Sequence, residues 1–405
     1  MRRRLILVAA ATVVVVAGGL AVAHRLLRPH APTVVGSTTT EFTPTVAAPQ
    51  APQLPGVDWP TYGYDQSRAR AVGGLGVRPP FSRLWTFHAR SLIEFPPVVG
   101  YGRVYLATFH GVLFALDAAT GDTTWRRASR RCGWASPALA DRVVYATFIG
   151  SGECGSTARD GVVAAYDALT GKRRWRRTIA PTESSPLVAR GAVYVGDWSG
   201  RVWALDARTG RTRWTRDLNG AIKGSLTLAG TRLFIGTYGG DVVSLDARTG
   251  RILWSSGGHG RFYSSPAVAY GRVYIGSLDD GVYAFGAATG HLLWSRPTGG
   301  YVYASPAVWH GRILVGSYDG RFYALDAGTG EVRWRFDAGD RISGSASVVD
   351  GLVYFSSFAH RTYALRARNG AVVRIWPDGE YSPAVAAPKR LYLVGRGQIY
   401  ALAPR

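Results

Sequence analysis

Several things are scarce in this chain, and each scarcity narrows what it can be. Its 405 residues hold two cysteines, one methionine, three lysines (172, 223 and 389) and six glutamates. Two cysteines are too few for a disulfide-built scaffold, and Cys132 and Cys154 lack the paired spacing of a zinc site. No nucleophile elbow, phosphate-binding loop, dinucleotide fingerprint or His-Glu-x-x-His is present. The eight histidines, at 24, 30, 88, 110, 259, 291, 310 and 360, never pair at metal-ligand spacing. No catalytic residue and no metal site is therefore expected. After residue 30 there is no long helix-period segment, which excludes a helical bundle.

What the chain has instead is arginine, glycine and aromatic residues. The net charge is +22, and with so few lysines it is almost wholly arginine. Such charge is read either as arginine on solvated turns or as contact with a polyanion: lipid headgroups, an anionic wall polymer or nucleic acid. Fifty-one glycines and 12% aromatics suit many short strands joined by tight turns.

The N-terminus reads separately. Met1-Arg2-Arg3-Arg4 precedes an uncharged apolar run from Leu5 to Ala23, nearly long enough as a helix to cross a hydrocarbon layer of ~30 Å. Arginines before the run keep the N-terminus cytoplasmic and place the bulk of the chain outside. Ala21-Val22-Ala23 also resembles a signal-peptidase site, so cleavage stays open. Residues 1–27 are thus expected to be an Arg cluster and transmembrane signal-anchor, 28–57 a disordered tether rich in Pro, Thr and Ala, and 58–405 the folded domain.

The domain is organised by a repeat. Ala204-Leu205-Asp206-Ala207-Arg208-Thr209-Gly210, ending at Trp214, returns as Ser244–Trp254, Ala284–Trp294 and Ala324–Trp334, with looser copies at Ala115–Trp125 and Ala165–Trp175. An eroded copy starting at Ala364 carries its Trp late, at Trp376. Each copy has an alternating strand, an Asp-led turn whose Gly tolerates positive φ, and a flat ring suited to packing between units. A second element, Ser-Pro-Ala-Val at 265–268, 305–308 and 382–385 with variants elsewhere, occurs eight times. Four strands per unit and eight units predict an all-β, eight-bladed propeller. The last unit stops without its Trp strand, while Phe81-Ser82-Arg83-Leu84-Trp85 stands orphaned before the first. Trp85 is therefore expected to complete the last blade and close the ring, leaving Trp85, Trp125, Trp175, Trp214, Trp254, Trp294 and Trp334 as blade-docking side chains.

These motifs, in phase over residues 58–405 and led in by Trp59-Pro60-Thr61-Tyr62-Gly63, resemble the quinoprotein repeat of PQQ-like propellers. That resemblance implies one of two branches. One is the PQQ-dependent dehydrogenases, which use calcium and usually carry a vicinal disulfide; the other is non-enzymatic propellers of the BamB type, which are lipidated on a Cys after the signal. This chain has neither adjacent cysteines nor a Cys directly following the apolar run.

Strand order sends the loops to two faces. The connections entering the Ser-Pro-Ala-Val strand and those between the second and third strands share face one; the remaining turns share face two. Cys132 and Cys154, with the insertion Gly150–Arg159, fall on face one of one blade and predict a disulfide in an exported protein. The position three residues before the Pro of each inner strand reads Glu94, Trp134, Glu183, Lys223, Tyr263, Tyr303, Ser343 and Glu380 around the ring. It varies while its neighbours stay constant. It is expected either to satisfy the rim or to bind a ligand or partner at the channel mouth. Phe109, Trp198, Tyr238, Tyr318 and Phe358 recur at one loop position too regularly for a base-stacking surface and point to packing. Face two holds most turn arginines, among them Arg103, Arg142, Arg190, Arg232, Arg272 and Arg312, and is expected to look toward anionic lipid.

The function expected is a monomeric, single-pass extracytoplasmic scaffold that binds an unidentified protein, with no cofactor and no nucleic acid. A small PQQ-dependent dehydrogenase with calcium and a polyanion- or wall-binding protein are the alternatives.

Overall fold

The computed structural model describes residues 56–150, 154, 157–382 and 384–405. The expected membrane helix, and nearly all of the tether, lie outside the described residues. No helix among those described is long and apolar enough to cross a membrane.

The described residues form eight sheets, each built on four antiparallel strands, in sequence order in all but the last. Blade 5 is representative: Ala267–Ala269 lies innermost, followed outward by Arg272–Gly276, Gly281–Gly286 and Leu292–Pro297. The ring closes as the orphan strand predicted. Phe81–His88 pairs antiparallel with Gln398–Pro404, from Phe81 opposite Pro404 to His88 opposite Gln398. The first and last parts of the domain thus share blade 8, and no sheet edge is left open between them.

The repeated residues earn their recurrence at the blade interfaces. Each docking indole donates its Nε1–H to a turn carbonyl of the next blade: Trp85 to Ala118, Trp125 to Ala168, Trp175 to Ala207, Trp214 to Ala247, Trp254 to Ala287, Trp294 to Ala327 and Trp334 to Ala367, at 2.8–3.2 Å. The ring then lies on that turn's glycine. A Cβ on Gly330 would sit 2.6 Å from Trp294 Cε3, and its φ of +74° disfavours a side chain in any case. The turn Asp accepts backbone N–H groups, as Asp206 does from Arg208 and Thr209. Trp376 is shifted: Arg374, not a Trp, stands opposite Ala364. Its neighbour, blade 8, has no Thr-Gly turn to receive a ring, because its outer strand comes from residues 81–88.

The Ser-Pro-Ala-Val serines link the inner strands into a belt. The N–H groups of Ser136, Ser185, Ser225, Ser265 and Ser305 donate to the hydroxyls of Ser185, Ser225, Ser265, Ser305 and Ser345, at 2.7–3.0 Å.

One feature of the fold was not expected. The segment from Gly56 to Val77 does not sit outside the ring but circles within it. Gly56 O accepts from Tyr101 N in blade 1; Pro60, Gln66, Ser67, Ala69 and Arg70 carbonyls accept from Leu139, Leu228, Val268, Val308 and Val348; Leu75 O accepts from Lys389 N in blade 8. Thr61 and Gln66 side chains donate to Pro186 O and Val188 O of blade 3. Two short strands, Val57–Trp59 and Ala71–Val72, extend blades 1 and 7. Leu75 N and Val77 N donate to the Asp350 carboxylate; Tyr101, Asp350 and Lys389 belong to face-two turns, so this segment stops the channel from that side. Arg68, fully buried, fastens it by donating to the carbonyls of Tyr62, Leu226 and Ser185.

Several of the face-two arginines join neighbouring blades. Arg103 donates to Ala168 O and Leu169 O, Arg232 to Ala287 O and Ala288 O, and Arg272 to Ala327 O and Gly328 O. Arg190 donates to Gly230 O, and Arg390 latches onto Ala118 O. These guanidinium groups bind the turn carbonyls of the next blade, and Arg272 is wholly buried. Others on the same face, Arg142, Arg208, Arg211, Arg248 and Arg251, are exposed.

Candidate functional site

With face two stopped, the channel opens toward face one among the described residues. There it ends in a blind cavity of about 280 Å³. Tyr62 of the plugging segment lies at its base, its hydroxyl 2.9 Å from Ser345 Oγ and 3.3 Å from Ser305 Oγ. The serine belt thus surrounds the floor and, through Tyr62, pins the plug to it.

Of the eight ring positions, the structure brings six to the lining: Glu94, Glu183, Lys223, Tyr263, Tyr303 and Ser343. Trp134 is drawn aside, stacked at 5.9 Å on Phe109 and tilted at 6.5 Å against Trp198. Glu380 also turns away. Its Oε2 lies 3.0 Å from Arg396 Nε and 3.6 Å from His360 Nδ1, and the adjacent Tyr381 faces the cavity in its place. Both departures follow from aromatic or ionic partners that spacing alone does not reveal.

The charged lining is unequal. Glu183, buried, accepts from Lys223 Nζ at 2.7 Å and from the Tyr263 hydroxyl at 2.5 Å. Lys223 Nζ also lies 3.2 Å from the Trp198 ring centroid. Burial lowers the Lys223 ammonium pKa, opposed by Glu183. Burial first, then the Glu183 charge, holds the Tyr263 phenol well above its ordinary range, so it stays a donor. Glu94 has no such partners. Burial, then Glu183 and Glu380, push its carboxyl up to about 7.

The remaining wall is aromatic. Tyr303 lies 4.7 Å from Tyr318 and 5.3 Å from Tyr263, and Phe358 lies 5.4 Å from Tyr381, centroid to centroid. The loop aromatics expected to pack do so in a definite order. Phe109, Trp198, Tyr238 and Phe358 each touch the ring residue, or its neighbour, of the following blade: Trp134, Lys223, Tyr263 and Tyr381. Sequence reasoning assigned these loop aromatics to packing and missed that Tyr318 and Phe358 also face the cavity. It missed Tyr62 too, whose signal was an aromatic within a stretch, Thr61–Arg70, that has charge but no repeat.

The disulfide forms: Cys132 and Cys154 are bonded, with Cα atoms 5.5 Å apart. Beside it, Arg131 clasps Asp160 through a two-toothed ion pair at 2.7–2.9 Å. Together these tie the base of the blade 2 insertion to face one, next to Phe109, whose carbonyl lies 3.6 Å from Cys154 Sγ.

Among the described residues, fold and site together define a closed eight-bladed β-propeller with a blind mouth on face one. A family model described as outer membrane protein assembly factor BamB matches residues 82–218, 159–261 and 199–405, and the chain belongs to that family. Among solved structures it is similar to BamB from Moraxella catarrhalis, at 17% identity over 80% of this chain and 99% of that one, with a TM-score of 0.66. It is also similar to a quinohemoprotein alcohol dehydrogenase from Comamonas testosteroni, at 16% identity over 89% and 82% of the two chains, TM-score 0.70. A europium-containing methanol dehydrogenase matches at 14% identity over 87% and 98%, TM-score 0.72. Likeness at such identities concerns the fold, which an assembly factor and two dehydrogenases share. No curated protein matches the chain.

Proposed function

We propose that this chain is a membrane-tethered, extracytoplasmic propeller that acts as a non-catalytic binding or scaffold module, engaging a protein partner at its face-one mouth. One observation carries the reading: positions that break the repeat converge on one blind cavity, while the repeated positions are engaged in joining blades. The apolar run Leu5–Ala23 after three arginines supports the tether and the exported side.

The lining argues against the enzymatic alternative. PQQ carries three carboxylates and would need cations around it. The mouth instead offers Glu94 and Glu183, and Lys223 is already held by Glu183 and Trp198. Among the described residues, no three His, Cys, Asp or Glu side chains gather as a metal site would require. The residues do not fit a calcium-assisted quinone. The polyanion alternative loses the arginines that latch blades, although Arg173 and Arg176 on the outer strand of blade 2 remain exposed.

The full-length protein, retained in its own membranes, should enrich a protein partner, and Tyr303→Asp at the mouth should abolish that enrichment. Dye-linked alcohol or sugar oxidation on adding PQQ and calcium would overturn the reading. So would binding to liposomes that fully accounts for retention and is released by salt.

A further inference from the structure

We propose that the mouth cavity is a receptor for a single organic cation, an alkylammonium or guanidinium head on an apolar stem, seated between the Glu94 carboxylate and the tyrosine wall. This rests on the reading of the mouth as the binding site and names the chemistry it selects.

Shape comes first. About 280 Å³, stopped below by Tyr62 and the serine belt, takes one long side chain or a small ligand and excludes a helix or a strand. Charge comes second. Glu183 is satisfied by Lys223 and Tyr263, whereas the Glu94 carboxylate accepts no hydrogen bond and meets no cation among the described residues. It lies instead near two like charges, Glu183 and Glu380. Glu94 is only partly exposed; a carboxylate partly withdrawn from water without a counter-charge is costly, and a guest cation lowers that cost. An anionic guest would meet the same two carboxylates with Lys223 already engaged.

The walls supply the third argument. Tyr263, Tyr303, Tyr318, Phe358 and Tyr381 line one side, and aromatic faces attract cations. The molecule already does this twice at the same mouth. Lys223 sits between a carboxylate and a ring, with its ammonium 2.7 Å from Glu183 and 3.2 Å from the Trp198 centroid. The Arg341 guanidinium lies 5.0 Å from the Phe358 centroid. A guest between Glu94 and the tyrosines would repeat the Lys223 arrangement across the cavity.

The charge of Glu94 makes the affinity pH-dependent. Near it are Glu183 with Lys223 and Tyr263 on one side, and Tyr381 with the outward-turned Glu380 on the other, backed by Arg396 and His360. Phe95 and Tyr62 lie at the base, and the Arg70 guanidinium stands 3.9 Å from the Tyr62 ring centroid. Its carboxyl titrates near 7, so cation affinity rises as pH is raised through that value.

The test is isothermal titration of the full-length protein in a non-ionic detergent. The probes are tetramethylammonium, the N-acetyl methylamides of lysine and arginine, neutral neopentyl alcohol and N-acetylglutamate. At least one cation should bind about tenfold tighter at pH 8 than neopentyl alcohol, and several-fold more weakly at pH 6. Glu94→Gln should erase the pH dependence and lower affinity about tenfold with the melting temperature maintained or raised. Tyr303→Leu should weaken the cation more than the neutral probe. Preference for tetramethylammonium would identify a free methylated ammonium as the guest, and preference for an amino-acid amide would identify a partner's basic side chain. Equal binding of neopentyl alcohol, tighter binding of N-acetylglutamate, no binding of any cation, or a Glu94→Gln variant of unchanged affinity would overturn the proposal. If cations fail to bind while Tyr303→Asp still abolishes partner enrichment, only the cation chemistry falls; if both fail, the mouth itself is the wrong site.

Discussion

Trp294 and Tyr303 are both large aromatic residues, nine positions apart, and the molecule uses them in opposite ways. Trp294 is fully buried, donates to Ala327 O and lies on Gly330, as six other indoles lie on six other turns. Tyr303 is half-buried, lines the cavity and has no counterpart of its kind in blades 1, 3, 4 or 7, where the ring residue is Glu94, Glu183, Lys223 or Ser343. The contrast shows how a repeat protein divides its labour. Whatever every blade must do is written nearly alike from blade to blade. Whatever one site must do can only be written where the copies diverge.

That contrast can be broken by experiment. Trp294→Ala should cost about 4 kcal/mol of stability in chemical denaturation, because a buried indole and its cavity are lost together. Ligand binding by the fraction that stays folded should be unchanged; a selective loss of binding would blur the division. Next in size is the disulfide. Cys132→Ser with Cys154→Ser releases a constraint of sequence separation 22, expected to cost about 3 kcal/mol by the loop-entropy account, measured the same way without reductant.

Glu94→Gln should act in the other direction. Burial raises this carboxyl from 4.5 in the free state to about 7, so between those values the folded chain holds a proton that the unfolded chain releases. Stability therefore declines as pH climbs from about 4.5 and levels off above about 7. Glu94→Gln should remove that decline and stabilise the protein at pH 8 by roughly 1–3 kcal/mol, read from denaturation at pH 5 and pH 8. A variant with an unaltered pH profile would mean that Glu94 is better solvated than its surroundings indicate. The smallest change expected is Ser343→Ala, within about 0.5 kcal/mol in the same assay, because Ser343 borders the cavity without joining the serine belt.

The blade count, the closure by Trp85 and the disulfide were legible in the sequence because each rests on spacing that a repeat makes visible. So was the ring position, as a place in the fold. Its side-chain directions were not. Trp134 and Glu380 occupy ring positions, yet Phe109 and Trp198 draw one aside and Arg396 draws the other. The plug was invisible for a related reason. Residues 56–77 have no repeat, and most of what holds them is backbone carbonyls meeting inner strands of blades far along the chain. Charge misled in a third way. Arg272 in a turn reads as solvated, but its guanidinium reaches Ala327 and Gly328 of the next blade and is buried.

The central claim, that function resides where the repeat diverges, is tested most directly by site-specific photo-crosslinking of the full-length protein in its native membranes. A photoreactive residue in place of Tyr303, at the mouth, is compared with one in place of Arg208, exposed on a repeated face-two turn. The account predicts a discrete protein adduct from position 303 and none from position 208. Adducts from 208 with none from 303 would contradict it.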